Sequence, residues 1–570
     1  MKRSITFLLL YSIFNILYSG QAVGQTLYNL QIMWQKASPD TGGGLRYWGF
    51  NMVGGDLNGD GYSDFVSATD TTLGIGTDRV KCKIYIFKGG STLSTDPSQI
   101  ITYDSLGSYP SFCIADFNGD SINDLALGDY RGTGTNNEKG QVNIHYGTGV
   151  DLNPTPDLVI GGYGSATATN YGYTVSAGDI NGDNIADLIV DAPNYPISGN
   201  RNGRIYIYYG DILGLHTWPD IILNGHPSPT FYENFGSGKS DFCDLNQDGY
   251  DDIIASGPVN SINGIASGKV YYYLSKNAPL DTIADGWIYG EGAEQYLGAN
   301  NLSNVKAETT GFKPISWFGT PDWPSTTGSF GEGKCYMAPG DTTGELTPEW
   351  TITGEDTALG FWSSSAGYAD KDKLGDFLAG AAPAFNRTGK AYLWLQRPTM
   401  RTQYDAYILG RYAGGTGIGD VLGARVAPAG DVDSCGRDEF LVSNYYADSS
   451  NMIWLCKYTG PDGITGEPEF KTQNLKFKIY QNSPNPFSQS TIIKYQLSQA
   501  GRVSLKVYNV AGQLVKTLII GQVGAGQHTV KWDGRDNIGN KVSSGIYIYR
   551  LSAVGQAENK DMTKKLVVLR

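Results

Sequence analysis

Cysteine and histidine are both scarce in this chain. Its 570 residues include six cysteines and four histidines, and neither set is spaced like the ligands of a zinc site. The cysteines are scattered, so the sequence predicts buried free thiols rather than a disulfide framework. Cys435 and Cys456 are the one pair worth testing for a bond. No catalytic residue is expected among the histidines, which are His145, His216, His226 and His528.

Charged residues and long apolar runs are also few. Charged side chains make up 17% of the chain and form no basic stripe, which argues against a nucleic-acid partner. No stretch after residue 18 is apolar enough to be a transmembrane segment. The apolar residues 5–18 follow Met1-Lys2-Arg3 and are too short for a membrane span, so we interpret residues 1–24 as a secretory signal peptide.

One nine-residue acidic segment is repeated four times. Each copy has Asp, Asn, Asp and Asp at positions 1, 3, 5 and 9, and the copies begin about 60 to 65 residues apart. We name them loop 1 (56–64), loop 2 (116–124), loop 3 (179–187) and loop 4 (244–252). The candidate metal ligands are Asp56, Asn58, Asp60, Asp64, Asp116, Asn118, Asp120, Asp124, Asp179, Asn181, Asp183, Asp187, Asp244, Asn246, Asp248 and Asp252.

These loops have the composition of a calcium site. Calcium is a hard cation that takes six to eight oxygen ligands, and alternating carboxylates and amides supply them from one short segment. An EF-hand would need a glutamate at position 12 on a following helix, whereas loop 1 has Ser67 there and a short apolar run that predicts a strand. Solvated turns also favour Asp, Asn and Gly, but four copies that keep the position-9 acid favour metal binding.

The repeat continues beyond loop 4 in altered form. The segment from Asp370 to Asp376 is interpreted as a shortened loop, and the one from Asp431 to Glu439 has cysteine at position 5. A further unit is expected near Lys306, without ligands. Seven units of short alternating strands predict an all-β fold, a seven-bladed β-propeller, over residues 25–470.

The repeated phrase resembles the FG-GAP repeat of the integrin α-subunit head. An aromatic-Gly or Leu-Gly step precedes each loop, as in Trp48-Gly49, and an alternating aromatic strand follows it, as in residues 83–87. The resemblance covers about residues 27–460. It implies a propeller whose loops 1 to 4 bind about four calcium ions in a structural role.

The last hundred residues differ in composition. Short alternating strands predict a small Ig-like β-sandwich over residues 471–570. The segments 484–487, 508–513, 532–534 and 544–547 resemble the type A C-terminal sorting domain of the type IX secretion pathway. This resemblance implies a Bacteroidetes-like bacterium, the type IX secretion machinery as a partner, and a protein that is secreted or held at the outer-membrane surface.

Two classes of function remain open at this stage. The first is a non-enzymatic adhesion or ligand-binding protein for an extracellular glycan or protein, with Trp317, Phe318, Trp323 and Trp287 as a candidate contact surface. The alternative is a carbohydrate-active enzyme, a polysaccharide lyase or hydrolase built on a calcium-bearing propeller. Fold alone does not separate them. Because the loops account for the paired carboxylates, we expect no catalytic residues and no cofactor besides calcium.

Overall fold

The structure is a computed structural model, and it forms two compact units, residues 1–465 and 466–570. The residues it describes are 26–39, 45–46, 48–72, 79–107, 110–132, 139–162, 168–197, 200–226, 233–261, 266–276, 280–293, 295–299, 302–305, 314–320, 333–340, 346–353, 359–381, 389–397, 404–409, 422–444, 451–460, 478–479, 482, 484–497, 501–510, 512–523, 526–537, 539–554 and 560–569. The proposed signal peptide, Trp323 and residues 306–313, where the loop of the fifth unit is expected, lie outside them.

Strands are the only regular secondary structure of these residues. Two strands come first: β1 (Thr26–Tyr28) and β2 (Leu30–Ala37). Blade 1 contains β3 (Leu45–Arg46), β4 (Met52–Gly55), β5 (Asp64–Thr72), β6 (Arg79–Phe87) and β7 (Gln99–Gly107). Blade 2 contains β8 (Ser111–Ala115), β9 (Asp124–Asp129), β10 (Lys139–His145) and β11 (Leu158–Gly161), and β12 (Ala168–Tyr171) pairs with β10.

The next two blades repeat this antiparallel order. Blade 3 contains β13 (Val175–Gly178), β14 (Asp187–Ala192), β17 (Arg204–Tyr208) and β18 (Ile221–Asn224), with a small hairpin of β15 (Pro196–Ile197) and β16 (Asn200–Arg201). Blade 4 contains β19 (Asp241–Cys243), β20 (Asp252–Ser256), β21 (Lys269–Tyr273) and β22 (Gly286–Tyr289).

The last three blades complete the first unit. Blade 5 contains β23 (Leu302–Val305), β24 (Ile315–Thr320), β25 (Lys334–Pro339) and β26 (Trp350–Thr353). Blade 6 contains β27 (Leu359–Gly367), β28 (Asp376–Ala381), β29 (Lys390–Trp394) and β30 (Ala406–Leu409), with β1 paired to β30. Blade 7 contains β31 (Leu422–Gly430), β32 (Glu439–Asn444) and β33 (Met452–Tyr458), and its fourth strand is β2.

The blades close into a ring, which confirms the predicted propeller. The first strand of each blade contacts the first strand of the next, and that of blade 7 contacts that of blade 1. The N-terminal strand β2 completes the ring, because it pairs along its length with β33 near the other end of the unit. The residues that the structure describes therefore form seven blades.

Apolar clusters fill the spaces between successive blades. Each cluster draws buried side chains from two neighbouring sheets, and the seven clusters follow one another around the ring. The second strands are buried along their whole length, as in β9 and β14, because both of their faces lie against a neighbouring blade. Continuous apolar runs, rather than alternation, are therefore expected there.

The second unit is a two-sheet sandwich. One sheet contains β34 (Lys478–Ile479), β35 (Thr491–Leu497) and β38 (Gly526–Trp532), and the other contains β36 (Gly501–Asn509), β37 (Leu514–Val523), β39 (Gly545–Val554) and β40 (Lys560–Val568). Its core has Trp532 edge-on to Phe487, with ring centroids 5.6 Å apart. Among the described residues of the chain, no helix is long and apolar enough to cross a membrane.

Candidate metal sites in a ring of loops

Loops 1 to 4 occupy the same place in four successive blades. Each joins the first strand of its blade to the second, and position 9 is the first residue of that second strand, as Asp64 is of β5. Positions 4 and 6 adopt a left-handed backbone in every copy, with φ of 70° and 86° at Gly59 and Gly61. Glycine tolerates this conformation, which explains why it fills five of these eight positions; the other three are Ser121, Asn184 and Gln247.

The position-1 aspartate organises the backbone of its loop. In loop 1, Asp56 Oδ1 accepts the N–H of Gly59 at 2.8 Å, and Asp56 Oδ2 accepts the N–H of Gly61 at 2.8 Å. The position-3 amide adds a third bond, because Asn58 Oδ1 accepts the N–H of Asp60 at 3.0 Å. Loops 2, 3 and 4 repeat the bond to position 6 and the bond between positions 3 and 5.

The position-9 aspartate ties the loop to the sheet. Asp187 Oδ2 accepts the N–H of Ile180 at 2.9 Å, and its Oδ1 accepts the N–H of Gly210, just after the third strand, at 2.9 Å. The same two bonds are present in the other three loops. All four of these side chains are fully buried. A buried carboxylate in this setting needs compensation for its lost hydration.

Burial has a clear electrostatic consequence for these four acids. It raises the pKa of Asp64 to about 6, of Asp124 and Asp252 to about 7, and of Asp187 to about 8, although the two N–H donors of each oppose the shift. The neighbouring acids of each loop raise the pKa further. A divalent cation beside them would favour the ionised form and offset the burial penalty.

Neighbouring loops are joined by hydrogen bonds from blade to blade. The backbone N–H of position 8 donates to the position-1 carbonyl of the preceding loop: Ala186 to Asp116 at 2.9 Å and Asp251 to Asp179 at 2.8 Å. Between loops 1 and 2 the link is the side-chain amide of Asn123, which donates to the Asp56 carbonyl at 2.9 Å. The loops therefore line one face of the ring side by side.

The altered loop of blade 6 is not shortened, which corrects the sequence interpretation. Asp376 begins β28, and its Oδ2 accepts the N–H of Ala369 at 2.8 Å, the bond that joins positions 9 and 2 elsewhere. The loop therefore runs over residues 368–376 (loop 6), with Tyr368 at position 1. The acids Asp370 and Asp372 occupy positions 3 and 5. Burial, followed by the neighbouring Asp372, raises the pKa of Asp370 to about 7.

The altered loop of blade 7, residues 431–439 (loop 7), gathers its side chains most tightly. Ligand atoms of Asp431, Asp433, Cys435 and Glu439 all lie within 4.8 Å of one another, and no other group of three or more acidic, cysteine or histidine side chains among the described residues does so. The carboxylates of loops 1 to 4 are thus spread more widely than the ligand atoms of loop 7.

Several other side chains considered in the sequence have structural roles. His145 is fully buried, with Nε2 2.5 Å from the Tyr103 hydroxyl and Nδ1 2.7 Å from the Asn153 carbonyl oxygen. All six cysteines are free thiols, including Cys435 and Cys456. The proposed aromatic contact surface is wrong in part, because Trp317 and Phe318 are fully buried in clusters between blades.

Comparison with known protein families supports the reading of the repeats. Residues 171–208 match the FG-GAP repeat family and residues 56–127 match the FG-GAP-like repeat. The chain contains FG-GAP repeats. Residues 483–557 match the FlgD Ig-like domain, in agreement with the sandwich of the second unit.

Integrin α subunits are relatives of this FG-GAP propeller. Chicken (Gallus gallus) integrin alpha-V is 28% identical over 232 residues, covering 40% of this chain and 21% of its own. Xenopus laevis integrin alpha-5 is 30% identical over 221 residues, covering 37% of this chain and 19% of its own. The chain therefore spans about a fifth of the length of these relatives.

A solved structure with a weaker likeness is PorZ, a bacterial surface component of the type-IX secretion system of Porphyromonas gingivalis. It is 14% identical, with a TM-score of 0.33, and the match covers 89% of this chain and 58% of that one. A TM-score this low does not establish a shared arrangement of strands.

Proposed function

We propose that this protein is a secreted or cell-surface calcium-binding propeller that acts as a non-enzymatic adhesion or ligand-binding protein for an extracellular glycan or protein. The observation that carries the proposal is the ring of FG-GAP loops, which share one backbone conformation and one set of buried position-9 acids in four successive blades. Its support from relatives is the similarity of this region to integrin α subunits.

Loops 1 to 4 have the donor chemistry that calcium requires. Each offers three carboxylates and one amide oxygen, from positions 1, 5, 9 and 3, and no soft ligand. The position-9 carboxylate is desolvated by burial, so a cation there would stabilise its ionised form. Because the loops are hydrogen-bonded to their neighbours, an ion in each would stiffen one face of the ring. Calcium is therefore proposed as a structural cofactor of about four ions.

Buried acids outside the loops hold the framework together rather than form an acid–base pair. Asp191 accepts the hydroxyl of Ser240 at 2.8 Å and the backbone N–H of Ser240 at 3.0 Å. Glu233 accepts the backbone N–H of His226 at 2.6 Å and the side-chain amide of Asn260 at 3.0 Å. Carboxylates whose oxygens already accept hydrogen bonds from the protein are poorly placed for proton transfer to a substrate. This arrangement favours a binding function over catalysis.

Export by the type IX pathway is the second part of the proposal. It is supported by the sequence elements of residues 471–570 that resemble a sorting domain and by the Ig-like fold of that unit. Deletion of residues 471–570 should leave the protein in the periplasm of the producing cell, as measured by fractionation and immunoblotting. If the truncated protein still reached the surface or the medium, the assignment of this unit to sorting would be wrong.

Binding is tested with the full-length purified protein on arrays of glycans and extracellular matrix proteins, with calcium and with chelator. Bound polysaccharides are then examined for new chain ends. Retention that requires calcium and leaves the ligand uncut is the expected result. Cleavage of the bound polysaccharide would contradict the proposal and support a carbohydrate-active enzyme.

A further inference from the structure

Loop 7 keeps the backbone of a metal loop. Its positions 4 and 6, Ser434 and Gly436, have φ of 53° and 81°, in the left-handed region like their counterparts in loop 1. Asp431 Oδ2 accepts the N–H of Gly436 at 2.7 Å, and Glu439 Oε2 accepts the N–H of Val432 at 2.8 Å. The loop therefore has the backbone conformation of loops 1 to 4, although its sequence has cysteine at position 5.

A lysine side chain enters this loop from the third strand of the blade. The ammonium group of Lys457 lies 2.7 Å from Asp433 Oδ2, 2.8 Å from Cys435 Sγ and 3.3 Å from Glu439 Oε1. These three atoms come from positions 3, 5 and 9, which are metal-ligand positions in loops 1 to 4. One positive charge thus lies among the side chains that would otherwise surround a cation.

A lysine at this place in a blade does not enter the loop by default. Lys457 follows Cys456, and Cys456 pairs with the residue after position 9 of loop 7. In blade 1, Lys88 follows Phe87, and Phe87 pairs with the residue after position 9 of loop 1. Lys88 Nζ donates instead to the carbonyl oxygen of Val150 at 2.7 Å and lies 3.1 Å from Asp151 Oδ1 in blade 2. The two lysines are matched in position and differ in what they contact.

We propose that the ammonium group of Lys457 replaces the divalent cation in loop 7, so that the seventh blade carries its own tethered cation and binds no calcium. Three features support this. The ammonium contacts side-chain atoms from positions 3, 5 and 9 of the loop, which are ligand positions in loops 1 to 4. Position 5 is a thiol, a soft ligand that a hard cation disfavours. The lysine is also largely shielded from solvent, with 17% of its side chain exposed.

Loop 7 lies where the closing blade meets blade 1, which suggests why an ammonium group would stand in place of a metal ion there. Lys457 lies on β33 and pairs with Gln31 of β2, the N-terminal strand that completes blade 7. Loop 7 is also joined to blade 1, because the N–H of Ser63 donates to the Asp431 carbonyl at 3.1 Å. Lys457 therefore supplies a positive charge to the three carboxylates of the closing blade, and we infer that this blade needs no external ion to join blade 1.

Counting bound calcium tests the inference, which rests on the proposed calcium loops. Calcium bound to the purified full-length chain is measured by equilibrium dialysis and atomic absorption in wild type, Asp56→Ala and Asp431→Ala, which remove the same position-1 carboxylate from loop 1 and loop 7. Asp56→Ala should lower the count by one ion, and Asp431→Ala should leave it unchanged. A loss of one ion in Asp431→Ala would overturn the inference. An unchanged count in Asp56→Ala would instead contradict the calcium assignment of loop 1.

A second measurement does not depend on calcium elsewhere. In excess chelator, Lys457→Met should lower the melting temperature of the propeller by several degrees, because it leaves three carboxylates together without a cation. Lys88→Met, the matched control, removes an exposed ion pair and should shift the melting temperature much less. Equal shifts in the two variants would refute the role of Lys457.

Converting loop 7 into a calcium-binding loop is the complementary test. The double variant Cys435→Asp/Lys457→Met restores a carboxylate at position 5 and removes the competing ammonium, so it should bind one calcium ion more than wild type. A count equal to that of wild type would show that something other than Lys457 keeps calcium out of loop 7, contrary to the inference.

Discussion

The closure of the ring depends on one tryptophan of the N-terminal strand. Trp34 lies on β2 and is 4% exposed, and its ring is edge-on to Phe65 and Phe87 of blade 1, with centroids 4.9 and 5.0 Å apart. Its Nε1–H also donates to the Ser94 carbonyl at 2.9 Å. A strand that belongs to blade 7 is thus anchored in the core of blade 1.

Replacing Trp34 by alanine should lower the free energy of unfolding of the propeller by about 3 to 5 kcal/mol, because it leaves a cavity between the first and last blades. Trp34→Phe keeps most of the aromatic contact and loses the hydrogen bond, so its expected loss is closer to about 1 to 2 kcal/mol. The assay is urea denaturation followed by tryptophan fluorescence, with calcium held constant.

Trp218→Ala is the control, because Trp218 is 56% exposed and its loss should change the free energy of unfolding by less than about 1 kcal/mol. The reasoning would be refuted if Trp34→Ala unfolded at the same urea concentration as Trp218→Ala. That result would mean that β2 contributes little to holding the ring closed.

Three further predictions follow from the loops, the framework and the second unit. Chelation should lower the melting temperature of the propeller, because calcium at ~1 mM and a dissociation constant of ~0.1 mM stabilises by about 1.4 kcal/mol per site, or roughly 6 kcal/mol for four sites; a chelator-insensitive melt would contradict this. Burial raises the pKa of Asp191 to about 6. The protonated carboxyl group therefore contributes up to roughly 3 kcal/mol to the free energy of unfolding below pH ~4, and this contribution is lost as the pH rises to ~6. Urea titrations of calcium-loaded Asp191→Asn should lack that loss, and a pH profile unchanged from wild type would disprove the prediction. Trp532→Ala, at a side chain 1% exposed, should lower the calorimetric transition of the C-terminal unit and leave that of the propeller in place; a shift of both transitions would show that the two units unfold together.

Periodicity in the sequence predicted the fold because each repeat carries its own strands and turn. The alternating segments interpreted as third strands are β6, β10, β17, β21, β29 and β33 of the structure. The closing strand β2 has no such signal. Its partner β33 lies more than 400 residues away, and pairing between distant strands follows from tertiary closure rather than from local pattern.

The candidate site was predicted less completely than the fold. Loop 6 was aligned on its first aspartate, whereas the position-9 acid, which is fixed by the start of β28, shows that Tyr368 is at position 1. Aligning the repeats on position 9 would have revealed this from the sequence. Lys457 could not be assigned in this way, because Lys88 has the same register and contacts blade 2 instead.

The most direct test of the account is a crystal structure of the full-length protein grown with calcium, with anomalous scattering used to locate the ions. The account predicts an anomalous peak within loops 1, 2, 3 and 4, next to Asp64, Asp124, Asp187 and Asp252, and the Lys457 ammonium in place of a peak in loop 7. Loops 1 to 4 without ions at millimolar calcium would contradict the central claim that this face of the propeller is built around calcium.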